Sequence, residues 1–135
     1  MVITLNRPAR ANAYTDAMVQ HLDRLLDELA EREDVGALVV TGTGSHFCAG
    51  ADLDEIRGRR ANDAFSIPSM ALFDKVEAFP HPVVAAINGA AMAGGLELAL
   101  ACDLRIASSQ ARFALPETAL GIIPAAGGTW RLPRI

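Results

Sequence analysis

Met18, Leu22, Leu25, Leu26 and Leu29 recur at the three- and four-residue spacing of one helical face, behind Thr15, whose hydroxyl suits a helix N-cap. The pattern predicts a helix from Asp16 to about Arg32. Two shorter apolar runs flank it: Val2 to Leu5, stopped by Asn6-Arg7-Pro8, and Ala37 to Thr41, followed by the turn Gly42-Thr43-Gly44-Ser45. Both read as strands, the second of them buried. Residues 52 to 64 are charged and read as a loop, and Phe65 to Phe79 carries Met70, Leu72, Phe73 and Val76 at helical spacing before Pro80 ends it. Val83 to Ile87 is a buried strand, Gly94 to Ala101 a helix, Leu104 to Ala107 another strand, and Pro116 opens a short helical turn.

Strands alternating with helices predict an α/β domain with largely parallel pairing. At 135 residues, 51% hydrophobic and 21% charged, the chain has the composition of one globular domain spanning 1–135. Ala78 to Leu96 is 19 residues without a formal charge, long enough to raise a membrane span. Pro80, Pro82, Asn88, Gly89, Gly94 and Gly95 interrupt it, so it reads instead as strand, turn and helix start.

The net charge of −4 argues against nucleic acid as a partner. Arg57, Arg59 and Arg60, and Arg131 with Arg134, are the densest basic clusters; each reads first as a solvated face and second as a contact for an anionic group. Cys48 and Cys102 fit no metal or Cys-x-x-Cys spacing, His21, His46 and His81 share no ligand spacing, and no metal is expected. No secretory signal pattern precedes the first strand, and a reducing compartment, cytoplasmic or the mitochondrial matrix, is expected.

Candidate chemistry lies in three segments. The small residues of Phe47-Cys48-Ala49-Gly50-Ala51-Asp52-Leu53 leave backbone N–H groups open to a ligand, although small residues after a strand are more often just a tight turn. In Gly94-Gly95-Leu96-Glu97, glycines open a helix whose unpaired N–H groups could stabilise an oxyanion, with close helix–strand packing as the competing reading. Glu97 lies one turn from Gly94 in an almost wholly apolar helix, either as an acid–base group or in a salt bridge to Arg105. Glu117 borders the apolar stretch after Pro116, where a helix start alone would also favour it. Two carboxylates in apolar settings are candidates for paired acid and base work.

Together these segments resemble the enoyl-CoA hydratase/isomerase (crotonase) family. The likeness runs from Ile3-Thr4-Leu5-Asn6-Arg7-Pro8 through Ala85-Ala86-Ile87-Asn88-Gly89 and Leu115-Pro116-Glu117 to Gly127-Gly128-Thr129-Trp130-Arg131-Leu132-Pro133. The resemblance implies a crotonase-like (ClpP/crotonase) spiral of ββα units acting on an acyl-CoA thioester. No separate cofactor is implied, coenzyme A being part of the substrate. It also implies oxyanion donors from the N–H groups of Ala51 and Gly94, and a water between Glu97, which activates it, and Glu117, which exchanges the α-carbon proton. Ala49, Ala51, Asp52, Leu53, Asp54 and Gly94 would line the acyl and pantetheine path.

Enoyl-CoA hydration is the activity implied, with double-bond isomerisation, or a silent binding or assembly module, as alternatives. Family members form trimers or dimers of trimers and carry a C-terminal helical region, so the chain is expected to be a core that lacks it. Ala93 and Ala125 stand where the family commonly has glycine, Trp130 where it has glutamine, and Asp54 where a lysine is often found.

Overall fold

The computed structural model describes residues 1–57 and 67–135. Its strands are β1 (Val2–Leu5), β2 (Leu38–Gly42), β3 (His46–Cys48), β4 (Val83–Ile87), β5 (Ala90–Met92), β6 (Leu104–Ala107) and β7 (Phe113–Ala114). The helices are α1 (Asp16–Ala30), α2 (Leu53–Ile56), α3 (Pro68–Glu77), α4 (Gly94–Ala101) and α5 (Gly128–Arg131). Single 3-10 turns cover Pro8–Arg10, Glu117–Leu120 and Leu132–Arg134.

Two all-parallel sheets form, in the orders β1-β2-β4-β6 and β3-β5-β7. β2, β4 and β6 of the first sheet each pass through a corner into a short strand of the second, and the chain then turns into a helix or a 3-10 turn. β2-β3-α2, β4-β5-α4 and β6-β7 with the Glu117–Leu120 turn repeat this path. The architecture is the expected α/β spiral of ββα units.

Asparagines fix the corners. Asn88 Oδ1 accepts from the Gly42 amide at 3.2 Å, while its Nδ2 donates to the carbonyls of Gly44 at 2.8 Å and His46 at 3.2 Å. Asn12, with no exposed surface, accepts from the Arg7 amide and donates to the Thr43 and His46 carbonyls, so each polar atom buried with it has a partner. With both corners held, the second sheet stands at the C-terminal ends of β2 and β4. The loops that carry Ala51 and Gly94 therefore meet there.

Thr15 caps α1 by accepting from the Met18 amide at 3.2 Å. The face that α1 buries consists of Val19, Leu22, Leu26 and Leu29; Met18 and Leu25 of the expected stripe are only half-buried. α4 is buried at every position from Gly94 to Ala101. Pro68 begins α3, which ends at Glu77 before Pro80. The expected helix start at Phe65, and Arg59 and Arg60 of the basic cluster, lie outside the described residues. No helix among the described residues is long and apolar enough to cross a membrane.

The charged segment after Ala51 is not all loop. Asp52 accepts from the Asp54 amide at 3.0 Å and caps α2, whose first turn holds Asp54 and Glu55 at the positive end of the helix dipole. Charge density concealed a capped helix.

Several large apolar side chains are exposed, among them Leu104, Ile106, Phe113, Leu132 and Ile135. β6 is also an edge strand, free to pair along one side. The 135-residue polypeptide is accordingly expected to self-associate at modest concentration in sedimentation velocity; a monodisperse monomer over a wide concentration range would count against this.

Candidate active site

A cleft of about 810 Å³ opens where the second sheet meets α3, α4 and the 3-10 turn after Pro116. Ala49, Ala51 and Leu53 from the loop after β3 and α2, Gly94 and Glu97 from α4, and Glu117, Leu120, Ile122 and Ile123 from the segment after Pro116 line it. Tyr14 and Ser69 add the remaining hydroxyls. The cleft is mostly apolar with few polar groups converging on it, as expected of a small-molecule site.

The Ala51 amide is oriented by a parallel bridge. The Tyr14 N–H donates to the Gly50 carbonyl at 2.9 Å and the Asp52 N–H donates to the Tyr14 carbonyl at 2.8 Å, so the intervening Ala51 N–H points away from Tyr14. Gly50, at φ +97°, packs against the start of α4: a Cβ there would lie 3.1 Å from the Gly94 nitrogen. The loop and the helix start thus touch. Among the described residues neither the Ala51 nor the Gly94 N–H is used in a hydrogen bond.

Ala93 produces the sharp entry into α4, with φ 50° and ψ −129°, a conformation that a residue with a Cβ rarely adopts. Its N–H donates to the Ala114 carbonyl and its own carbonyl accepts from Leu96 and Glu97, which together hold the bend. Replacing Ala93 with glycine relieves that strain, partly offset by the greater freedom of glycine in the unfolded chain. Ala93→Gly is expected to raise stability by about 1 kcal/mol, read as a higher urea midpoint at unchanged m-value. An unchanged or lower midpoint would contradict the strain.

Glu97 is 3% exposed, and its Oε1 accepts from the Ala126 N–H at 2.8 Å and the Gly128 N–H at 2.9 Å. Two backbone donors fix the position of this carboxyl group. Gly128 is required by the approach, because a Cβ there would lie 2.9 Å from Pro124 Cβ and 3.2 Å from Glu97 Oε1. The glycine-rich turn at 124–128 is therefore the cradle of Glu97. Arg105 is not its partner. That guanidinium donates to the carbonyls of Ala99, Cys102 and Asp103 at the end of α4, so the salt-bridge reading of Glu97 is set aside.

Glu117 is 5% exposed, and its Oε2 has no hydrogen-bond partner among the described residues. Burial pushes its pKa up from the ordinary 4.5, and the neighbouring Glu97 charge adds to the rise. An unpartnered buried carboxyl oxygen is unfavourable for folding, and at a cleft wall it is placed to meet a ligand.

Of the residues expected on the acyl path, Ala49, Ala51, Leu53 and Gly94 line the cleft, whereas Asp52 and Asp54 do not. Asp52 is buried against Arg7 Nη1 at 2.5 Å and Arg10 Nη2 at 3.2 Å, and the Arg7 hydrogen bond lowers its pKa to about 2. Asp54 is exposed and pairs with Arg10 and Arg57. Both carboxylates brace α2 against the Pro8–Arg10 turn. Arg131 departs from expectation as well, being neither solvated nor open to an anion: it is 5% exposed and paired with Asp74 and Glu77. The two thiols are buried, and desolvation raises Cys48 to about 11 and Cys102 to about 12, so neither is a nucleophile at neutral pH. Among the described residues no cluster of His, Cys, Asp or Glu could hold a metal.

Tyr14 was not marked by the sequence pattern. Its ring meets Phe73 edge-on at 6.0 Å, and its hydroxyl lies where a Cβ on Gly94 would be only 2.1 Å away. The residue sits just before the Thr15 cap and outside any periodic run, so only the tertiary approach of α1 to α4 reveals it.

A family model described as enoyl-CoA hydratase/isomerase matches residues 1–135. YngF of Bacillus subtilis strain 168 is 50% identical over 139 residues, covering 99% of this chain and 53% of its own length. The short-chain-enoyl-CoA hydratase of Clostridium acetobutylicum is 42% identical, with 99% and 52% covered. The crystal structure of an enoyl-CoA hydratase from Bacillus anthracis superposes with a TM-score of 0.94 at 44% identity, covering 98% of this chain and 53% of that one. The chain belongs to the enoyl-CoA hydratase/isomerase family, and it spans about half the length of the relatives it matches.

Proposed function

We propose that the chain forms the catalytic core of an enoyl-CoA hydratase. The observation that carries this reading is the pairing of two buried carboxyls on one cleft: Glu97, anchored by two backbone amides, and Glu117, with an unpartnered oxygen and a raised pKa. Glu117, whose burial favours the protonated form, is suited to donate a proton, and the anchored Glu97 is positioned to take one from a water on the same substrate.

In this mechanism the thioester carbonyl accepts hydrogen bonds from the N–H groups of Ala51 and Gly94. Glu97 takes a proton from a water as its oxygen bonds to the β-carbon. The electron pair of the double bond moves into an enolate, whose charge the two amides stabilise. Glu117 then protonates the α-carbon, and the proton held by Glu97 returns to Glu117 through solvent. One oxyanion donor typically contributes about 3–4 kcal/mol, so the pair supplies a large part of the rate. Isomerisation would need proton transfer but no activated water, and it leaves the amide-held Glu97 without a role. The exposed apolar surface supports assembly into a homo-oligomer, a trimer or a dimer of trimers.

The test is hydration of crotonyl-CoA, followed as loss of the conjugated thioester absorbance, beside calorimetric titration with the same thioester. Turnover with binding is expected. Binding without turnover would reassign the chain as a binding module, and the absence of both would contradict the acyl-CoA reading.

A further inference from the structure

Arg131 ends α5 at 5% exposure, a burial that a guanidinium tolerates only when its donors are met. Its partners come from two elements. On α3, Nη2 reaches Asp74 Oδ1 at 2.7 Å and Glu77 Oε2 at 2.6 Å, while Nε reaches Glu77 at 3.2 Å. On the turn at 124–128, Nη1 donates to the Ala126 carbonyl at 3.0 Å. Gly127, at φ +119°, makes the approach possible, since a Cβ there would sit 1.9 Å from Nη1.

The same turn carries the two N–H groups that hold Glu97, from Ala126 and Gly128. Arg131 thus grips the carbonyl of the residue whose amide grips the carboxylate. Asp74 and Glu77 are themselves 55% and 56% exposed, and ion pairs with such partners contribute little to stability. Their geometry does more, because α3 also places Ser69 on the cleft wall. One guanidinium ties that wall to the cradle of Glu97.

We propose that Arg131 is a positioning residue that sets the reach of Glu97 into the cleft by fixing the 124–128 turn against α3; its catalytic consequence rests on the hydratase reading. Lysine at this position keeps the charge but cannot span the Ala126 carbonyl and both carboxylates with a planar fork, so Arg131→Lys should fall between wild type and Arg131→Met.

Two readouts separate the inference from the reading beneath it: amide hydrogen exchange at Ala126 and Gly128 by NMR, and kcat and KM for crotonyl-CoA. Arg131→Met is expected to speed exchange at those two amides by about tenfold or more, while β2 and β4 stay protected. It should lower kcat by about 10²-fold with KM within about threefold. If that variant does not fold, Glu77→Gln, a change at a half-exposed carboxylate, is expected to show both effects at smaller amplitude. Unchanged exchange at Ala126 and Gly128, or faster exchange with normal kcat, would overturn the proposal. Faster exchange in the variant of a protein that never hydrates the thioester would uphold the link from Arg131 to Glu97 and overturn the hydratase reading.

Discussion

Glu97→Gln and Glu117→Gln are each expected to lower hydration by about 10²–10⁴-fold while thioester binding changes little, because each removes one proton transfer and keeps side-chain size. The double variant should lose far less than the sum, since in the proposed mechanism the two groups serve one reaction as a unit. The variants should also part company in stability. Glu117 is raised above its ordinary 4.5 by burial, so its favourable, protonated contribution is complete below that pH and is lost as pH rises through its folded value. At neutral pH the wild type holds a carboxyl that resists ionising. Glu117→Gln stays neutral and should therefore be the more stable protein at pH 7, the difference closing towards pH 4.5 and below. Glu97→Gln offers no such gain, because its Oε1 already satisfies two amides. Denaturant titration at both pH values, beside steady-state kinetics, reads both effects. A Glu97→Gln variant with near-normal turnover would return Glu97 to a structural role.

Gly95→Ala is expected to be strongly destabilising. An added Cβ would stand 2.1 Å from the Cys48 carbonyl oxygen and 2.7 Å from its carbon, both in the backbone of β3, where no side chain can swing aside. The start of α4 must then lift from the sheet, at or above the upper end of the usual range of about 1–3 kcal/mol for overpacking. Lifting it also moves the Gly94 amide, so turnover should fall in whatever protein still folds. Gly36 is the control: nothing lies within 4 Å of its added Cβ, and Gly36→Ala is expected to change stability by no more than about 0.5 kcal/mol. Equal midpoints for the two variants would show that close packing does not seat α4.

The long elements were legible because local pattern decides them. α4 and β6 fall on the expected bounds, Thr15 caps α1, and Pro116 opens its turn. The second sheet was not legible: β3, β5 and β7 run for only two or three residues each, and Ala90-Ala91-Met92 carries no alternation to mark it. Those strands exist because the asparagine corners bring distant segments into register. The same limit applies to the site. Glu97 could be singled out as a charge in an apolar helix, but its partners lie 29 and 31 residues onward in a glycine turn. Arg131 looked like surface because its two acids sit 54 and 57 positions away on another helix.

In the proposed reaction two carboxyls on this cleft add water to an enoyl thioester held by two amides. It is tested most directly with 2-hexenoyl-CoA in oxygen-18 water and mass analysis of the product. Hydration predicts a 3-hydroxyacyl-CoA heavier by one labelled water, with the label on the β-carbon and its formation lost in Glu97→Gln. A product of unchanged mass with the double bond moved to the next carbon, or thioester recovered unaltered, would contradict it.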